Sequence, residues 1–335
     1  MSNPRIVDTF LQNFKKSGLV KRIMITGAAG RIGTELAPKL LEFYGEENVL
    51  LTDIVPSMEG ISKKNYKKLD VTDRKAYEAL VKSFKPDTVI QLAAVLSARS
   101  EEKPDLSHKV NRDGGRNAIE LATELQYKIF LPSSIGSFGP ASPKKDAPDL
   151  AFQRPINLYG ISKVFLELYG EYNYFKFGTD FRSLRLPTVI ANQGPRNSLV
   201  YSDVDIYYKA VKEKRYTHFL RPDYLLPVIY IDDFIINTIK FLEAPNEKLS
   251  LRTYNVQSCA FTIQEQVSAI KKLIPDFEVS YEVDSKQSIM DSLPETLSDT
   301  AARKDWGFES HFDIDSITKD MIEKIQEKLK SQESS

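Results

Sequence analysis

The sequence is poor in the residues that hold metals or form disulfides. Cys259 is the single cysteine among 335 residues, so no internal disulfide can form, as suits a reducing compartment. The three histidines, His108, His218 and His311, are scattered, and with one cysteine they offer no metal-ligand spacing. No apolar run approaches the roughly 20 residues that span a bilayer. Net charge is lacking as well. Lys plus Arg number 46 and Asp plus Glu 46, so no overall field draws the chain to nucleic acid or to an acidic membrane. The basic runs "SKKNYKK" (62–68) and "PKK" (143–145) read as solvated surface. The first 22 residues lack the apolar core of a secretory signal, and Asp8 speaks against a mitochondrial presequence. The expected compartment is the cytoplasm, with the mitochondrial matrix as the alternative.

What is present is ordinary for a soluble protein: 41% hydrophobic residues, enough for a sizeable core, and 27% charged residues. "RIMIT" (22–26), "NVLLTD" (48–53), "YKKLDV" (66–71), "DTVIQLAA" (87–94), "YKIFLPSS" (127–134) and "DFRSLRLP" (180–187) read as strands. Helical patterns fall between them near 31–44, 73–84, 110–126 and 157–177. This alternation predicts an α/β fold, a doubly wound parallel sheet of the Rossmann type, with right-handed crossovers. After residue 187 the rhythm loosens. The expected organisation is an extension at 1–21, disordered or docked, then a nucleotide-binding domain at 22–187 completed by elements near 228–258. A smaller interleaved substrate lobe occupies 188–330, and 331–335 form a frayed tail. No clean linker separates them.

"ITGAAGRIGTEL" follows the first strand and opens a helix, with Gly27, Gly30 and Gly33 in register. The first glycine suits a tight turn, the second a backbone close to phosphate, and the third a close approach of helix and strand. The helix N-terminus then faces the pyrophosphate. Asp53 ends the second strand about 20 residues on, where a carboxylate accepts the hydroxyls of an adenosine ribose and repels a 2′-phosphate. NAD is therefore the expected cofactor, in preference to NADP. Arg31 either salt-bridges the pyrophosphate or starts a solvated helix face. Asp70 and Val71 end the third strand, where adenine would lie. Leu92, Ala93 and Ala94 end the fourth, where small residues let a cofactor pass.

"LYGISKVF" (158–165) places Tyr159 and Lys163 at i and i+4 on one helix face. A phenol has a pKa of about 10 and is a poor base at neutral pH. An ammonium beside it favours the phenolate and would lower that value. The hydroxyls of "FLPSSIGSFG" fall at the same carboxyl edge, with Ser134 the expected partner of the substrate oxygen and Ser133 the runner-up.

Together "TGAAGRIG", "LPSSIGSFG" and "YGISK" resemble the extended short-chain dehydrogenase/reductase superfamily. "PSSIGSFGP", "INLYGISKVFLELYGEY", "DFRSLRLP", "EAPNEKLSLRTYNV" and "LSDTAARKDWGF" are further similar to the short-chain type of L-threonine 3-dehydrogenase, over about residues 22–325. The resemblance implies NAD-dependent oxidation of the 3-hydroxyl of L-threonine or a related 2-amino-3-hydroxy acid. Tyr159 would be the base, Lys163 its activator and ribose ligand, and Ser134 the hydroxyl partner. Ser97 would line the substrate pocket with Ser134 and Tyr159, and Pro187 and Val189 the nicotinamide. Ala29, Ile32 and Ile54 would join the glycines and Asp53 around the cofactor. A homodimer through the helices at 110–126 and 157–177 is also implied. Two segments depart from the family pattern. A glycine-rich run ending in Thr-Thr-Asp-Tyr is replaced by "NQGPRNSLVYSDVDIYY", and Leu293 stands where a tryptophan is usual. Both border the substrate in the family. Arg196 reads as a solvated loop residue, with a new substrate contact as the other reading. Two rival functions remain. One is a sugar-nucleotide epimerase or dehydratase, for which Arg196 and Arg221 are the available cations. The other is an NAD-sensing binding protein without turnover.

Overall fold

The structure, a computed structural model, describes residues 5–192 and 202–333. Helix α1 (Ile6–Asn13) precedes β1 (Ile23–Thr26), α2 (Arg31–Tyr44), β2 (Val49–Asp53), β3 (Tyr66–Lys68), α3 (Arg74–Phe84) and β4 (Thr88–Gln91). Two short helices, α4 (Ser97–Glu102) and α5 (Pro104–Ser107), lead through a π-helical turn at His108–Gly114 into α6 (Gly115–Leu125). Then come β5 (Lys128–Phe130), β6 (Ser133–Ser134), α7 (Leu158–Phe177) and β7 (Phe181–Leu186). The later part holds β8 (Thr188–Ile190), α8 (Ser202–Glu213), β9 (Arg215–His218), β10 (Leu225–Tyr230), α9 (Ile231–Glu243), β11 (Thr253–Asn255) and β12 (Cys259–Thr262). It ends with α10 (Ile263–Leu273), β13 (Glu278–Tyr281), α11 (Lys286–Met290), α12 (Thr300–Trp306) and α13 (Ile314–Glu333).

The main sheet runs β11-β7-β5-β4-β1-β2-β3, with β6 paired to β7, and its pairings are parallel. Its central strands are buried on both faces, which is why they read as unbroken apolar runs rather than alternating ones. Successive residues still serve opposite faces: Ile23 and Ile25 enter one core, Met24 and Leu50 the other. The strand order reverses between β1 and β4, which opens a crevice at their carboxyl ends.

Pro132 interrupts the run expected over 127–134, splitting it into β5 and β6, because proline cannot donate to the ladder. Of the elements expected to complete the sheet, β11 pairs with β7 at its edge. β10 does not join it and pairs with β8 and β12 in a separate sheet. Pro187 lies between β7 and β8, where the chain leaves one sheet for the other. Helix α1 belongs to the folded body, since Val7 and Leu11 are buried and the helix packs on α9. Its Asp8 meets Lys39 of α2 at 2.5 Å.

The segment at 293–298 pairs with the loop at 144–147 that follows β6. Lys144 accepts from the Glu295 N–H (2.7 Å) through its carbonyl, and Ala147 donates to Thr296 (3.0 Å). The Lys144 ammonium adds a bond to the Leu293 carbonyl (3.1 Å). Among the described residues no helix is long and apolar enough to cross a membrane.

Candidate active site

The crevice between β1 and β4 is shaped by its glycines. Gly27 has φ +67°, and a Cβ there would lie 2.5 Å from the Ala93 nitrogen, so both the turn and the close passage of β4 require glycine. A Cβ on Gly33 would stand 2.4 Å from the Ala28 carbonyl, which sets how closely α2 approaches β1. At Gly30 the nearest atom to such a Cβ is the carbonyl of its own turn, at 3.1 Å. No side chain caps the first turn of α2. Asp53 stands at the mouth, its carboxylate accepting from the Ala29 N–H at 3.0 Å, and Ile54 beside it is exposed. Ile32 lies on the first turn of α2, packed against the core.

Other expected cofactor residues fall nearby with different occupations. Arg31 stands at the start of α2. It is half-buried and donates from Nη2 to the Val189 carbonyl at 2.5 Å, tying α2 to β8. Asp70 lies beyond the end of β3 and accepts from the Thr72 N–H (2.9 Å) and hydroxyl (2.8 Å). Val71 is buried against Gly114, where a Cβ would come within 2.7 Å of it. Leu92, Ala93 and Ala94 follow β4 directly and are partly open, and Pro187 is buried between β7 and β8.

Tyr159 and Lys163 lie on α7, whose N-cap Asn157 accepts from the Gly160 N–H at 2.7 Å. Gly160 lets the helix start against the strand edge, because a Cβ there would strike the Gly136 carbonyl at 2.0 Å. The Lys163 ammonium is 5.4 Å from the Tyr159 ring centre and donates to the Pro132 carbonyl at 2.6 Å. The Tyr159 ring and the Ser134 hydroxyl flank Gly136, where a Cβ would lie 3.5 Å from the ring and 3.4 Å from the hydroxyl, and that hydroxyl accepts from the Gly136 N–H at 3.0 Å. Ser133 points away to Glu167. With the Ser133 hydroxyl held by Glu167, two turns further along α7, Ser134 is the serine beside the tyrosine.

The electrostatics correct one expectation. Desolvation pushes the Tyr159 phenol up to about 12, and the Ser134 hydrogen bond only partly opposes it. Burial brings the Lys163 ammonium down to about 8, against the pull of Glu167. The phenol thus stands above its ordinary value, because removal from water disfavours the phenolate.

Ser97 opens α4, which packs on α7. Leu293 packs on a small cluster of Ile135, Phe138, Ala147 and Leu297 beside the Ser134 turn. Arg221 is held by Asp291 (2.9 and 3.2 Å) and Asp223 (3.3 Å) on the exposed side. Arg196 and its neighbours at 193–201 lie outside the described residues.

The model of the NAD-dependent epimerase/dehydratase family matches residues 23–256, from the first strand of the sheet past its last. The chain belongs to that family. An uncharacterized epimerase/dehydratase of Staphylococcus saprophyticus is 42% identical over 93% of this chain and 99% of its own. The mitochondrial L-threonine 3-dehydrogenase of Bos taurus is 39% identical over 90% of this chain and 82% of its own. The solved L-threonine dehydrogenase of Clostridium difficile superposes with a TM-score of 0.89 at 40% identity, covering 92% of this chain and 98% of that one.

NAD, the cofactor of this epimerase/dehydratase family, suits the residues present: a turn with no room for a Cβ, an uncapped helix start and a carboxylate at the crevice mouth. Three further residues are prominent in the structure. Asn111, in the π-helical turn, accepts from the Val95 N–H (2.7 Å) and donates to the Val95 carbonyl (2.9 Å), fixing the segment after β4. Glu167 and Arg185 form a buried pair behind Lys163. The sequence signal for Glu167 is its place one further turn along the Tyr159–Lys163 face. Asn111 and Arg185 carry no comparable local signal.

Proposed function

We propose that the protein oxidises the 3-hydroxyl of L-threonine, or of a related 2-amino-3-hydroxy acid, to the 3-oxo product. The observation that carries this reading is Lys163 on the same helix face as Tyr159, 5.4 Å from its ring centre, with the Ser134 hydroxyl and the Tyr159 ring both flanking Gly136, at the edge where the glycine crevice opens. The substrate class is supported by the names of the cattle and clostridial relatives. Bound NAD supplies the acceptor for the hydride from carbon 3. Ser134 donates to the substrate oxygen and holds it against Tyr159. Tyr159, as phenolate, takes the hydroxyl proton. Lys163 lends positive charge to that phenolate and offers a donor to the ribose. Asp53 selects the ribose hydroxyls, and the glycine turn admits the pyrophosphate. Ser97 and the wall around Leu293 border the amino acid. Desolvation of the pocket strengthens each of these polar contacts.

The test is Tyr159→Phe, which keeps the ring and removes the proton acceptor. Turnover with L-threonine should fall roughly 10²–10⁴-fold while NAD affinity holds, the usual worth of a general base. Near-native turnover would refute the role.

The same reading includes a homodimer. Ile161, Phe165, Leu168, Tyr172 and Phe175 recur at helical spacing along α7, and Phe175 is 79% exposed. A second copy presenting the same α6–α7 face is the occupant proposed, in a cytoplasmic protein.

A further inference from the structure

We propose that Glu167 is a positioning residue for the reaction, keeping Lys163 charged and selecting which serine of β6 faces Tyr159. The inference rests on the dehydrogenase reading above. Three residues of one α7 face, Tyr159, Lys163 and Glu167, meet three consecutive residues of the strand segment. The Tyr159 ring lies beside the Ser134 hydroxyl around Gly136, Lys163 bonds the Pro132 carbonyl, and Glu167 accepts from the Ser133 hydroxyl. On β7, Arg185 stands opposite Ser133 in the ladder, and it too reaches Glu167, with Nη2 at 2.7 Å and Nε at 3.1 Å from each oxygen. Gln153 completes the shell from the loop before α7, donating at 2.9 Å. Glu167 is 2%, Ser133 3% and Arg185 5% exposed.

β6 spans only Ser133–Ser134 and begins after a proline, so its ladder holds it weakly. A slip of one residue would carry Ser133 into the place of Ser134. The Ser133–Glu167 bond opposes that slip, since the carboxylate, locked by Arg185, leaves one site for one hydroxyl. The same carboxylate lies one helical turn beyond Lys163 and attracts its charge. Lys163 also faces the Tyr159 ring on α7 and the Pro132 carbonyl just before β6. Arg185 of β7 lies beyond Glu167, and Glu171 and Asp149 act on Arg185 in turn.

The experiment compares native protein, Glu167→Gln, and Glu167→Gln with Arg185→Met, the last leaving no unpaired buried cation. Lysine labelled with ¹³C at Cε is titrated by NMR, the Lys163 signal being assigned by its loss in Lys163→Arg. The Lys163 midpoint should fall by about one pH unit in both variants. With L-threonine, kcat should fall about tenfold and KM should change less than about threefold. Thermal stability should drop more in the single variant than in the double. A folded double variant with an unmoved Lys163 midpoint, or with native turnover per folded molecule, would overturn the proposal and leave the pair purely structural. Absence of turnover in the native protein would instead remove the dehydrogenase reading. The Lys163 titration would still decide the part played by Glu167.

Discussion

Lys163 donates from Nζ to the Pro132 carbonyl at 2.6 Å, so the charge beside Tyr159 is anchored to the segment that carries Ser134. Base, cation and hydroxyl partner thus move as one unit with α7 and β6. The protons on Tyr159 and Lys163 set the pH dependence of turnover.

The productive state pairs a Tyr159 phenolate with a Lys163 ammonium. Burial sets the lysine near 8 and the phenol near 12, the reverse of the productive assignment. The pair loses its first proton at about 8, and a fixed fraction of the singly deprotonated pair is productive. Turnover should therefore rise with pH through about 8 and hold its level to at least pH 10. Initial rates at constant ionic strength from pH 6 to 10 check this. A rate that falls between pH 7 and 9 would contradict it.

Asp53 accepts from Ala29 at the crevice mouth, where ribose hydroxyls would be read. Replacing it by Asn keeps the shape and removes the charge. NAD binding should weaken by about 1.5–3 kcal/mol, the usual worth of hydrogen bonds to a charged group. The preference over NADP should shrink at the same time. Apparent affinities for both cofactors measure this, and an unchanged preference would mean that another group discriminates them.

The apolar stripe on α7 predicts a particle of twice 38.1 kDa by light scattering at micromolar concentration. Leu168→Glu with Phe175→Glu should give the single-chain mass without loss of NAD binding. A native protein that already runs at 38.1 kDa would remove the dimer.

Features carried by local spacing were legible in the sequence. The glycine turn, Asp53 and the Tyr159–Lys163 pair each depend on residues close along the chain, and the structure brings them to one sheet edge. Features decided by pairing were not. Whether Ser133 or Ser134 faces the tyrosine depends on the ladder between β6 and β7, and the turning of Arg31 to Val189 depends on β8 lying beside α2. β10 reads as a strand in isolation, yet nothing local says that it joins β8 rather than the main sheet. The phenol's direction of titration was missed for the same reason, because desolvation is a sum over distant packing.

The central claim is oxidation of an amino-acid alcohol with release of reduced cofactor. The most direct measurement is NADH absorbance with NAD and a panel of 2-amino-3-hydroxy acids and simple secondary alcohols. The account predicts sustained, multiple-turnover NADH formation with L-threonine or a close 2-amino-3-hydroxy acid, and little with the simple alcohols. NAD that binds but yields no NADH with any member of the panel would contradict it.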